Sequence, residues 1–247
     1  MKTIRMEEMN WPDVRAAIAA GFTTAVVGVG STEQHGPHLP TMTDARIGDE
    51  MAHGVALKLG HALQARTISV GVSAHHLAFG ATISLKPETL KMIVRDYVDS
   101  LAGAGFRRIV FLPSHGGNFA PLAEAVADAR KEHADIEILA YTDLMGIGDV
   151  LDGVSAEYGI TPEESGAHAG ENETSMMMAL EPDLVVRERF APGYLGRVRE
   201  KEAELIFAKG MPALTENGVL GDPRKASAEK GRVYLRKLVD FLAANIC

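Results

Sequence analysis

The 247 residues contain one cysteine, Cys247, and one tryptophan, Trp11. A lone cysteine at the last position forms no internal disulfide and is poorly placed for a nucleophile, so the sequence predicts a reducing, cytoplasmic home. Long apolar runs are missing as well. None approaches the roughly 18 residues that a membrane-spanning helix needs. Residues 1–8 carry acids where a signal peptide has an apolar centre. Positive charge is scarce: 25 Lys and Arg against 33 Asp and Glu leave a net charge of −8. A general nucleic-acid binder needs the opposite balance. The densest basic stretches, Arg187-Glu188-Arg189 and Arg197-Val198-Arg199-Glu200-Lys201, are broken by acids and read as solvated faces. These absences leave a small-molecule substrate as the expected partner, with neither nucleic acid nor membrane.

What the chain does have is histidine in clusters. Nine occur, most of them in or beside four short motifs. The first is Gly30-Ser31-Thr32-Glu33-Gln34-His35-Gly36-Pro37-His38-Leu39-Pro40, with Thr43-Asp44 following. The others are Ser73-Ala74-His75-His76, Ser114-His115-Gly116-Gly117-Asn118 and His168-Ala169-Gly170-Glu171-Asn172-Glu173-Thr174-Ser175. A single loop histidine or glutamate is usually just solvated, but four clusters of metal-ligand types exceed what scattered surface residues give. Side chains two apart on extended backbone point the same way, so Glu33 and His35 can serve one site. Asp44 has enough loop to fold back onto it.

The coarse pattern is an alternation of strands and helices. Apolar runs at 24–29, 66–72, 107–112 and 136–141 read as strands. Helical periodicity marks 11–21, 46–59, 86–105 and 120–132. Residues 146–167 read as the least regular stretch, a surface excursion or a substrate loop. Such alternation predicts an α/β fold: one domain over 1–247, a three-layer sandwich around a mainly parallel sheet. In a parallel sheet the carboxyl ends of the strands share an edge. The motifs after Val29 and after Leu112 can therefore meet there.

Several chemistries lack their signatures. A dinucleotide fingerprint starting at Gly28-Val29-Gly30 would put its third glycine at Glu33, whose carboxylate repels pyrophosphate. There is no phosphate loop ending in Gly-Lys-Ser/Thr and no Gly-x-Ser-x-Gly elbow. Glu33, His35, Asp44 and His115 offer mixed N and O ligation without sulfur. That suits Zn²⁺, Mn²⁺ or Fe²⁺ in an open catalytic site, with Asp44 able to bridge two ions. Glu173 lies five residues past His168, so the two share no face of one helix. A helix starting near Gly170 would leave His168 in the loop before it and Glu173 in its first turn. Glu171 would point elsewhere and favour the helix N-terminus.

Taken together, and with a weaker match at Gly218-Val219-Leu220-Gly221-Asp222-Pro223, these motifs resemble the creatininase (creatinine amidohydrolase) family. The matches run in family order over nearly the whole chain. The resemblance implies a three-layer α/β fold, a divalent-metal centre with two ions per chain, amide or ring C–N hydrolysis and a homohexamer. It implies one metal on Glu33, Asp44 and His115, a second on His35 and Asp44, and His168 as the catalytic histidine. Two past His115, creatininase carries a further carboxylate, and this chain has Gly117; Glu173 is the candidate replacement, as metal ligand or water-orienting group. Creatininase's tyrosine beside the metals is Gly116 here, and its substrate-binding tryptophan falls near Glu164. Both departures point away from creatinine. Ser73, His76, Gly116 and Gly117 are the expected substrate-pocket residues. The expected activity is hydrolysis of a small cyclic amide, formamide or related C–N substrate. Hydrolysis of a cyclic ketone or sugar ring, or a non-catalytic binding protein on this fold, are the alternatives.

Overall fold

The computed structural model describes residues 2–246; Cys247, on which the expectation of a reducing home rests, lies outside them. Four strands form one parallel sheet in the order β2-β1-β3-β4, with β1 Thr24–Val29, β2 Ala62–Gln64, β3 Arg108–Pro113 and β4 Glu137–Ala140. In the two central strands every residue after the first is buried, as a parallel sheet covered on both faces requires.

Alternate residues of the strands face two separate cores. Val26, Val110 and Leu112 pack into one with α2 (Thr43–Leu59), α5 (Leu144–Glu157), α7 (Glu171–Leu180) and α9 (Ala228–Asn245). Val27, Ile109 and Phe111 pack into the other with α1 (Trp11–Ala19), α3 (Pro87–Ala104) and α4 (Phe119–Glu132). This is the three-layer arrangement. Helix α3 shows how sequence sets an element. Pro87 opens it, where the missing N–H costs nothing, and Gly105 at φ 110° ends it. Between them Leu90, Val94, Val98 and Leu101 bury one stripe, each worth about 1.5–3 kcal/mol. Shorter helices are α6 (Pro162–Ser165) and α8 (Glu200–Lys209). No helix among the described residues is long and apolar enough to cross a membrane.

Three expectations need correction. The second strand is Ala62–Gln64, and not 66–72. The later residues run extended but meet the sheet only through an isolated bridge, Ile68 to Val29. Helix α2 begins at Thr43, so Asp44 sits in its first turn and not in a loop. The stretch 146–167, expected to be irregular, holds most of α5 and all of α6. Its apolar spacing was masked by three glycines, which cost helix propensity; two of them, Gly148 and Gly153, face open space.

The chain passes from β1 outward to β2 and then back to β3 on β1's other side. The carboxyl ends of β1 and β3 thus flank the point where strand order reverses, the usual crevice for ligands in open α/β sheets.

Candidate metal centre

Backbone geometry first brings Asp44 to the strand ends. Helix α2 lies so close to the end of β1 that a Cβ on Gly30 would stand 2.5 Å from the Ala45 Cα. Ser114 Oγ donates to the Asp44 carbonyl at 2.7 Å, tying the end of β3 to the same turn. Asn118 donates to the carbonyls of Val29 and Gly30 and accepts from Val72 N–H, clamping a third segment there. At Gly117 a Cβ would collide with the Val72 carbonyl oxygen, so this position has no room for a ligand side chain.

Five expected residues then converge. His115 Nδ1 lies 3.2 Å from both Glu33 Oε2 and Asp44 Oδ2. His35 Nε2 lies 3.1 Å from Asp44 Oδ1 and 3.8 Å from Glu173 Oε2. The two oxygens of Asp44 therefore face two different groups of donors. Glu33, His35 and Asp44 can hold one ion together, as can His35, His168 and Glu173, or Glu33, His76 and His168. Glu33 and His35 are fully buried and Asp44 is 2% exposed.

The decisive feature is that burial is not accompanied by satisfaction. Both carboxylate oxygens of Glu33 and Oδ2 of Asp44 are buried without an aligned hydrogen-bond donor. Leaving such atoms unpaired costs about 1–3 kcal/mol each, more when charged. Donors about 2.0–2.2 Å from one shared ion stand about 3 Å from each other, which is the spacing seen here. The residues fit a divalent cation.

Three histidines are oriented for the same purpose. His35 Nδ1 approaches the Glu33 carbonyl at 3.1 Å, His115 Nε2 the Val72 carbonyl at 3.1 Å, and His168 Nε2 the Gln34 carbonyl at 2.8 Å. A carbonyl only accepts, so each of these nitrogens carries the proton and the other nitrogen faces the site, the usual support for a ligating imidazole. Ser73 lies behind His115, its Oγ 3.2 Å from Nε2 and close to Ser31 Oγ. His76 Nε2 stands 3.2 Å from Glu33 Oε1.

Charge follows geometry. Burial would raise the Glu33 carboxyl, but the adjacent His115 charge outweighs it and holds the group at about 2. Asp44 is likewise held below the usual carboxylate range, by His35 and His115 against burial. Burial opposes charge on His35, yet Asp44 first, then Glu173 and Glu33, push it up to about 10. His115 is raised well above its ordinary value by Glu33 and Asp44 in the same way. Burial, reinforced by His35, lowers His168 to about 3. Burial lifts Glu173 to about 7. Protons on His35 and His115 thus stand where a cation would.

The pocket residues divide. Gly116 is exposed with open space beside it, leaving the centre open on that side. His75, which the sequence reading did not single out, stacks 5.6 Å from the His115 ring and meets the exposed Phe207 ring at 4.9 Å. Glu164 does not reach the centre; it caps α6 and pairs with Lys225 at 2.7 Å. Gln34 was also missed, although it lies inside the first motif. Its side-chain amide meets His76 Nδ1, and its backbone carbonyl accepts from His168 Nε2.

Comparison with known proteins places the chain in a family. The chain matches the creatininase family, described as creatinine amidohydrolase, over residues 7–246. It is 36% identical to a mycofactocin precursor peptide peptidase of Mycobacterium tuberculosis (strain CDC 1551 / Oshkosh), covering 87% of this chain and 81% of the relative. It is 28% identical to a creatinine amidohydrolase of Pseudomonas putida, covering 99% and 96%. The fold superposes on a crystal structure of creatinine amidohydrolase with a TM-score of 0.83 at 28% identity, covering 99% and 97%. The chain belongs to the creatininase family of amidohydrolases.

Proposed function

We propose that this protein is a divalent-metal-dependent hydrolase of an amide-type C–N bond in a small cyclic amide, formamide or related substrate. The observation that carries this reading is the set of buried, unpartnered oxygens on Glu33 and Asp44. One ion, Zn²⁺, Mn²⁺ or Fe²⁺, would rest on Glu33, Asp44 and His115. The other would rest on His35, Asp44 and Glu173, with Glu173 supplying the carboxylate that Gly117 cannot. Such ions lower the pKa of a coordinated water and polarise a carbonyl.

The chain's own groups do the rest. His168 is neutral at neutral pH, and its Nδ1 is the atom free to take a proton from the attacking water and return it to the leaving nitrogen. Glu173, with Oε2 held by the Ala169 N–H at 2.6 Å, orients that water. The buried walls keep bulk solvent from competing.

A short peptide amide is a second reading. It is favoured by the higher identity to the peptide peptidase, and by the open space at Gly116, which leaves room for a chain to pass. A homohexamer belongs to the same proposal and is checked by light scattering. The test of function is a screen of formamides, lactams and short peptides with the metal-loaded protein, reading released amine. Turnover of any class, lost on chelation, supports the proposal. A fully loaded protein with no amine release across the panel would sink it.

A further inference from the structure

Among the four histidines at the centre, His76 is held differently. His35, His115 and His168 each give one nitrogen to a backbone carbonyl. His76 instead has its Nδ1 2.9 Å from the side-chain amide nitrogen of Gln34. Which way that amide faces decides which nitrogen of His76 bears the proton.

The backbone fixes the amide. Gln34 Oε1 accepts from the Gly36 N–H at 2.9 Å, and Nε2 donates to the Gly218 carbonyl at 3.2 Å. Reversing the amide would set donor against donor at Gly36 and acceptor against acceptor at Gly218. His168 Nε2 also lies 3.0 Å from the amide nitrogen, but its own proton goes to the Gln34 backbone carbonyl, so the second amide hydrogen is left for His76 Nδ1, which must accept it. Gly218 is part of this device. A Cβ there would collide with Gln34 Oε1, and its φ of 79° suits glycine. The weakest of the sequence motifs, at 218–223, thus acquires a role: its first glycine makes room for the residue that orients His76.

We propose that Gln34 is a positioning residue that keeps the proton of His76 on Nε2, making His76 a hydrogen-bond donor within the centre and not a third metal-ligand histidine. His76 Nε2 stands 3.2 Å from Glu33 Oε1, and its ring lies 4.5 Å from that of His168. That N–H is not aligned for a hydrogen bond to Glu33 Oε1, and it serves a substrate carbonyl oxygen seated beside His168. Its catalytic consequence rests on the hydrolase reading; the tautomer does not.

The test is the two-bond ¹H–¹⁵N spectrum of Zn²⁺-loaded protein labelled at histidine, with His76 assigned by its disappearance in His76→Gln. Wild type should show His76 protonated at Nε2. In Gln34→Glu the introduced carboxylate can only accept, so the His76 proton should move to Nδ1. His168, held by the Gln34 backbone carbonyl, should stay protonated at Nε2. Zinc content should match wild type. On any substrate found, kcat should fall by about 10–100-fold, the usual cost of losing such a partner, with KM little changed. An Nδ1-protonated His76 in wild type, zinc bound through its Nε2, or a His76 signal unmoved in Gln34→Glu would each overturn the proposal. Should that variant not fold, the wild-type spectrum still decides. The expected spectra without amine release from any substrate would uphold Gln34's role while removing the hydrolase reading.

Discussion

Two buried carboxylate clusters meet the segment 165–175, and they are built on opposite principles. In the first, Glu33 and Asp44 are buried with oxygens left unpaired. In the second, Glu171 is equally buried and fully satisfied. Its Oε1 accepts from Ser175 Oγ at 2.7 Å and faces Lys230 Nζ at 3.1 Å, and its Oε2 accepts from Tyr234 OH at 2.6 Å. Tyr234 OH continues at 2.8 Å to Ser155 Oγ, which donates to Ser165. The satisfied cluster joins α5, α6, α7 and α9 and holds the loop that carries His168. The unsatisfied one joins strand ends to α2 and could hold a cation. Burial of charge alone does not mark a functional site; here the mark is unpaired oxygens on two carboxylates gathered against several imidazoles.

Breaking each cluster should therefore fail in different ways. The largest effect belongs to Asp44→Asn. A divalent ion at about 100–1,000 times its dissociation constant stabilises a fold by about 3–4 kcal/mol. Thermal melts with and without Zn²⁺ should show that gain in wild type and not in the variant. Without metal, Asp44→Asn should melt below wild type, because protonated His35 and His115 lose the carboxylate that pairs with them. Next is His168→Ala, which should retain metal and lose about 10²–10⁴-fold in turnover. Metal lost along with turnover would instead make His168 a ligand.

Tyr234→Phe cuts the other cluster. It should cost about 1–3 kcal/mol in denaturant unfolding, since Glu171 loses a donor while staying buried. Metal content should not change; a variant that drops its metal would dissolve the distinction between the clusters. The smallest effect concerns pH. His35 titrates near 10 in the folded chain against about 6.5 unfolded. Between those values the folded, metal-free protein binds the extra proton, so this contribution is complete below pH 6.5 and fades as pH rises toward 10. Metal-free protein should lose stability across that window. Zinc binding should release protons there and tighten with rising pH, as calorimetry in buffers of different ionisation enthalpy would show.

The same contrast explains what could be read from sequence. Glu33, His35, Asp44 and His115 announced themselves because they are short-range motifs following apolar strands. The β1 and β3 boundaries were within a residue for the same reason. Asp44 was legible as a candidate ligand but not as a helix residue, since no capping residue with a side-chain bond precedes α2. The strand expected at 66–72 failed because, although Ile68 and Val72 join the core, only Ile68 bridges to β1. Glu171 read as a charge favouring a helix N-terminus. Its partner Tyr234 lies 63 residues away, and no local pattern announces such a bond. Gln34 was hidden differently: a polar residue among metal-ligand types, whose meaning depends on which way its amide faces.

The central claim is that the unpaired oxygens of Glu33 and Asp44 exist to hold divalent metal. Its most direct measurement is elemental analysis of anaerobically purified wild-type protein, repeated after chelation and reconstitution with Zn²⁺. The account predicts one to two divalent ions per chain, removed by chelation and restored by reconstitution. A folded protein that takes up no divalent ion under either condition would contradict it.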